Sequence, residues 1–275
     1  MLDTALIPLS LKEHRNKVLS LGRLLKNFGT TRIVLLHVFE GSNRKKKEKI
    51  RAQLEEIAYQ YRDIGFEVEM FFKEGSVATT AVDFAKEMGV DYIGLSWQRK
   101  WLIKRTLLGN IDADIIRMTD LPVFMYKKDY YLFKHWDLNK VLYATDFKGT
   151  DSKVMPYLKN KEFQADRLYL LHVGSRAPDP ATDKNRREEV DNKLQRLAAE
   201  CAGAYNSVEK LNVVGTVRTQ IVRKAKSHGV DLIVVGKQDK AKGLDQLLGS
   251  TAEALPHKAH CSIFIISGVQ NRRSE

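Results

Sequence analysis

An apolar strand candidate, Leu232–Gly236, runs into the basic loop KQDKAKGLDQLLGST, and Gly249-Ser250-Thr251 opens what reads as a helix. Strand, glycine, loop and helix start form an arrangement suited to anions. Glycine lets backbone N–H groups approach a phosphate closely, and a helix start offers unpaired N–H groups at the positive end of its dipole. The hydroxyls of Ser250 and Thr251 add donors. Asp239 sets a carboxylate in the middle of this loop, where it repels an anion unless a divalent cation bridges the two. A second set of polar residues, Thr145-Asp146, ends an earlier strand candidate. Both sets also have a plain structural use: Gly249-Ser250 and Asp146 can simply cap the helices that follow them.

Side chains arranged for covalent or acid–base chemistry do not come together in the sequence. It contains no G-x-S-x-G elbow, Walker loop, HExxH or S-G-G-x-D-S loop. His37 and His172 lie at the ends of apolar runs, which suits a structural role. Any turnover is expected to be no more than slow ATP hydrolysis or autophosphorylation.

The elements that must position these residues are written twice. IVLLHV (33–38) returns as LYLLHV (168–173), GVDYIGLS (89–96) as GVDLIVVG (229–236), and LLGN (107–110) as LLGS (247–250). The first pair is 135 residues apart and the other two 140, so the second copy is longer between them, and GSRAPDPATDKN (174–185) reads as the inserted loop. Strand candidates in the first copy are Thr4–Leu9, Arg32–Val38, Phe66–Phe72, Tyr92–Ser96 and Val123–Tyr126. In the second they are Lys140–Thr145, Leu168–Val173, Val208–Val214, Leu232–Gly236 and Ile263–Ile266. Amphipathic segments such as Lys45–Arg62 and Arg186–Ala204 separate them. The expected fold is α/β: two tandem Rossmann-like domains, 1–128 and 129–275, each a five-stranded parallel sheet with helices on both faces. The aromatics of the linker Lys127–Asp137 suit packing between the domains.

At these residues the sequence resembles the universal stress protein family in its tandem form, over nearly the whole chain. The family's marks are a strand ending in Pro-Thr-Asp, a second ending in His-Val, and a G-x2-G-x9-G-[ST] loop after the fourth. The second copy has Thr145 and Asp146 with Ala144 for the proline, then His172-Val173, then Gly236 and Gly249-Ser250, with Asp239 at the second glycine. The first copy keeps Pro8 but has Ser10 for the aspartate, and Ser96 and Arg99 for both early glycines; Gly109 remains, followed by Asn110. The resemblance implies the strand order 3-2-1-4-5 and a cleft between strands 1 and 4 that holds an adenine nucleotide, ATP, ADP or AMP, with Mg²⁺ if it is ATP. It implies that Ala144, Thr145, Asp146 and the Val173 backbone hold base and ribose. Gly236, Asp239, Gly249, Ser250 and Thr251 then line the phosphates. Ser10 removes the base-binding carboxylate from the first copy, which is expected to bind no nucleotide. The fifth strands, VFMYK and SIFII, are expected to pair within the chain as a pseudo-dimer, with a further homodimer open.

Composition sets outer bounds. The 275 residues carry 46 Lys+Arg against 34 Asp+Glu, a net charge of +12. The excess is spread over both halves, which permits an anionic partner without selecting one. Two isolated cysteines, Cys201 and Cys261, suit a reducing cytoplasm, and no apolar run is long enough to span a membrane. In SWQRKWLIKRTLLGN (96–110), tryptophans Trp97 and Trp101 alternate with cations, and RKKKEK (44–49) sets cations at a helix start. The alternative function is therefore a scaffold without nucleotide, acting through this basic, aromatic surface on a protein or membrane partner; nucleic acid is a poorer fit.

Overall fold

The computed structural model describes residues 1–13, 15–39, 41, 44–97, 111–127, 138–160, 162–176, 178–237 and 251–267. Two compact units, Met1–Trp136 and Asp137–Glu275, divide the chain. In the first, β1 (Thr4–Pro8), α1 (Arg15–Leu25), β2 (Arg32–Phe39), α2 (Arg44–Asp63), β3 (Glu67–Glu74), α3 (Val77–Glu87), β4 (Tyr92–Ser96), α4 (Ile111–Met118) and β5 (Val123–Tyr126) follow in order. In the second come β6 (Lys140–Thr145), α5 (Asp151–Lys159), β7 (Arg167–Gly174), α6 (Pro180–Cys201), β8 (Ser207–Val214), α7 (Val217–Ser227), β9 (Leu232–Gly236), α8 (Thr251–Lys258) and β10 (Ser262–Ile266).

All ten strand candidates are strands. The first unit orders them β3-β2-β1-β4-β5 and the second β8-β7-β6-β9-β10, which is the 3-2-1-4-5 order in both. Neighbouring strands within each unit run parallel. Consecutive residues of the central strands are buried, Ala5 to Ile7 in β1 and Val141 to Tyr143 in β6. Burial without alternation means that both faces of each sheet are covered, here by helices. The outermost strands β3 and β8 are half exposed.

The repeated GVD segment has a structural explanation. Its glycine, Gly89 or Gly229, takes a left-handed φ of 62° in both units and closes the preceding helix. There its N–H donates to the Lys86 or Lys226 carbonyl at 3.2 Å. The aspartate then caps the start of the neighbouring strand. Asp91 Oδ2 accepts the N–H groups of Asp3 and Thr4, both at 2.9 Å. Asp231 Oδ2 accepts those of Asn139 and Lys140, at 3.0 and 2.9 Å.

The segment read as the inserted loop is shorter than the sequence suggested. Helix α6 starts at Pro180, not at Arg186, with Asp179 as its N-cap accepting the Thr182 N–H at 2.9 Å. Proline in the first helical position costs nothing there, since that N–H has no partner within the helix. The second proline therefore marks a helix start.

Candidate functional site

Strand β6 lies between β7 and β9, and its crossover leaves on the side opposite to that of β9, making its C-terminal end a switch point. Ala144 stands level with Val235 and Thr145 with His172. Asp146 thus emerges beside the end of β9, where Gly236 lies. The two residues expected to flank the cleft are together.

Asp146 is half buried and folds its own loop: Oδ1 accepts the Lys148 N–H at 2.9 Å and the Thr150 hydroxyl at 3.2 Å. Gly236 is required by packing. A Cβ built on it would come 2.4 Å from Thr150 Cβ, so the start of α5 sits flush against the end of β9. The sequence reading assigned this glycine to phosphate approach, and the structure adds a packing reason for the absence of a side chain there. Val173, half buried, follows His172 on β7. Thr251 is the first residue of α8, whose first turn also carries Glu253. Asp239, Gly249 and Ser250 lie outside the described residues, as do Arg99, Trp101, Gly109 and Asn110.

Several residues missed by the sequence reading build the floor of this site. Asp151 Oδ1 accepts the Tyr143 phenol and, at 2.7 Å, the Thr145 hydroxyl. Burial, reinforced by the Asp151 charge, pushes the Tyr143 phenol up, so it stays a donor. Thr145 Oγ accepts the Phe147 N–H at 3.0 Å, and the Thr145 carbonyl accepts from His172 Nδ1 at 3.1 Å. Phe147 adopts a left-handed φ of 56°, and its ring stacks on His172 with centroids 4.8 Å apart and planes 27° apart. Lys193 Nζ, from α6, lies over the Phe147 ring 5.7 Å from its centroid. The signal available beforehand was Thr-Asp-Phe at a strand end, followed by an acid at the next helix start.

The first unit repeats the frame with other chemistry. His37 Nδ1 donates to the Leu9 carbonyl at 2.8 Å, the counterpart of His172 and Thr145. Leu11 takes the place of Phe147 and the same backbone, with φ 59°. Ser10 stands at the aspartate position, and a different carboxylate lies against it. Glu13 Oε1 accepts both the N–H and the hydroxyl of Ser10, at 3.1 and 2.7 Å, so the charge returns three residues later. Beside it, buried Lys17 donates to the Trp97 carbonyl at the end of β4. Trp97 in turn donates its N–H to Tyr126 O at 2.9 Å. The Ser96 hydroxyl, at the position of Gly236, is buried without a partner among the described residues.

Among the described residues no group of three His, Cys, Asp or Glu side chains is placed to hold a metal ion. Nor is any described helix long and apolar enough to cross a membrane.

Comparison with known proteins agrees with this architecture. The universal stress protein family profile matches the chain twice, over residues 1–127 and 138–267. A universal stress protein of Methanocaldococcus jannaschii is 27% identical over 151 residues, which is 46% of this chain and 93% of that protein. A universal stress protein A homologue of Coxiella burnetii is 30% identical over 121 residues, 39% of this chain and 81% of the homologue. The crystal structure of a universal stress protein from Archaeoglobus fulgidus aligns with a TM-score of 0.76 at 22% identity, over 98% of each chain. With the profile matched in both halves and the 3-2-1-4-5 sheet present in each, the chain belongs to the universal stress protein family, in a tandem, two-domain form.

Proposed function

We propose that the second half binds one adenine nucleotide, ATP, ADP or AMP, across the C-terminal ends of β6 and β9, and that the chain acts as a regulatory binding module and not as a catalyst. The observation that carries this reading is the adjacency of Asp146 and Gly236 at the β6/β9 switch point of a universal stress protein. Asp146, Ala144, Thr145 and the Val173 backbone take the base and ribose. Gly236, Gly249, Ser250 and Thr251 take the phosphates, with the start of α8 as a source of N–H donors. Glu253 in the first turn of α8 and Asp239 in the preceding loop both work against a long phosphate chain. AMP or ADP is therefore the preferred ligand; with ATP, Mg²⁺ accompanies the phosphates and the Asp239 carboxylate is a candidate ligand for it.

The first half binds no nucleotide in this reading. Lys17 holds the Trp97 carbonyl where the cleft would open, and Ser96 puts a side chain in the place of the glycine. The buried thiols of Cys201 and Cys261 fit the reducing conditions of the cytoplasm.

Native mass spectrometry of the purified full chain, followed by titration calorimetry with AMP, ADP and ATP, tests the reading. One nucleotide per chain is expected. Two per chain would return the first half to service, and no binding at millimolar nucleotide would leave the scaffold reading in its place.

A further inference from the structure

An aromatic ring held at the mouth of a ligand cleft has two uses. It packs against its own protein, or it offers a face to a planar ligand. Phe147 is half buried, so the residue is not closed off from solvent. Its backbone is held by the Thr145 hydroxyl, which Asp151 holds in turn. Its inner face lies against His172, and that imidazole is itself fixed by the Thr145 carbonyl. The ring is thus preorganised at the ends of β6 and β7, one residue beyond Asp146.

The first half serves as an internal control. Leu11 occupies the same left-handed backbone as Phe147, so the fold imposes that conformation and does not require an aromatic side chain. There the histidine ring meets Phe39 edge-on, at 4.9 Å and 75°, in place of a stacked partner. Ile7 and Leu9 stand where Tyr143 and Thr145 stand, so the hydroxyls that secure Asp151 have no counterparts. The stacked pair and the network beneath it occur together, in the half that keeps the aspartate.

We propose that Phe147 is the base-stacking residue of the second half, its other face taking the purine of the nucleotide while His172 backs the ring. The assignment rests on the nucleotide reading above and adds to it the residue that selects an aromatic base. Stacking on a ring face is tolerant of sequence and hydrogen-bond pattern, so Phe147 favours purines over a bare sugar phosphate. Lys193 over the ring is a long, exposed side chain already paired with Glu189 at 2.5 Å, and an incoming base displaces it readily.

The test uses the full chain, with AMP and ribose 5-phosphate as paired probes. Phe147→Leu, the side chain the first half carries, should weaken AMP about ten- to a hundredfold. It should leave ribose 5-phosphate unchanged, and Phe147→Trp should bind AMP as well as the wild type. In the wild type, NMR should show adenine H2 or H8 shifted upfield with cross-relaxation to the Phe147 ring protons, a readout that needs no variant. Equal AMP affinity in wild type and Phe147→Leu, or no contact between adenine and the ring, overturns this assignment and leaves the nucleotide reading intact. A wild type that binds no AMP takes down both.

Discussion

The two halves share a frame and differ at one rim. Both close a helix with a left-handed glycine, clamp the start of the first strand with a buried or half-buried aspartate, and tie strands 1 and 2 with a histidine. These devices recur because they serve the sheet. At the C-terminal ends of strands 1 and 4 the halves part: Asp146, Thr150 and Gly236 in one, Ser10 with Glu13, Lys17 and Ser96 in the other. The lesson is that the duplicated parts mark what folding needs, and the unequal parts mark where function was free to change.

The largest expected effect tests the shared frame. Asp231 is 1% exposed and accepts two backbone N–H groups. Its removal strands both donors, so Asp231→Ala should destabilise by about 3 kcal/mol, and Asp91→Ala, half exposed, by about 1–2 kcal/mol. Urea unfolding of the full chain reads both. Equal losses would mean that burial does not separate the two clamps.

Next comes the glycine at the rim. Gly236→Ala drives a methyl into Thr150, at a cost of about 1–3 kcal/mol, whereas Ser96→Gly in the first half should cost less than about 1 kcal/mol. Thr150→Gly, which removes the Cβ that the new methyl meets, should rescue Gly236→Ala in a double-mutant cycle of thermal stability. Additive losses would show that Gly236 answers to something other than Thr150.

A smaller effect concerns the loop that sets the second half apart. A carboxylate about 5 Å from a phosphate charge opposes it by about 3 kcal/mol at an effective dielectric of about 20, before the loop lysines offset part of this. Asp239→Gly should tighten ATP at least about tenfold, close to 1.4 kcal/mol, with little change for AMP. Asp146→Ala should weaken both alike. If calorimetry shows Asp239→Gly loosening ATP only when Mg²⁺ is present, Asp239 is a metal ligand.

The smallest effect uses the fact that both cysteines fall in the second half. Burial, with Glu200 adding to it, pushes the Cys201 thiol from the usual 9.0 up to about 11. The fold favours the neutral thiol, so this contribution is complete below pH 9 and is lost as pH rises toward 11. Cys201→Ser should flatten the fall in stability over that window, and alkylation of Cys201 at neutral pH should report opening of the second half alone. Rapid modification of the folded chain would show that the thiol is not held as neutral as its burial requires.

Much of the fold was legible in the sequence. The switch-point location of the candidate site follows from the strand order that the family resemblance implies, while ten strands and their grouping into two copies follow from apolar runs and repeated segments. These are local patterns, since burial on both faces leaves a continuous apolar signature in each strand. Asp146 and Gly236 could be paired as neighbours because the strand order comes with the family. The start of α6 was misplaced by six residues, from Arg186 to Pro180, because a proline looks alike in a loop and in a first helical turn.

What the tertiary structure alone decided lies between segments. That Glu13 restores the charge Ser10 lacks, that Thr150 fills the space before Gly236, and that Asp151 ties Tyr143 to Thr145 all depend on how a loop folds back over a strand end. The seating of Phe147 on His172 depends further on β6 and β7 being neighbours. Residue type and spacing determine which elements form, because secondary structure answers to short-range sterics and periodic burial. Which side chains meet at the ends of those elements is set by distances across the sheet, and sequence separation carries no measure of them.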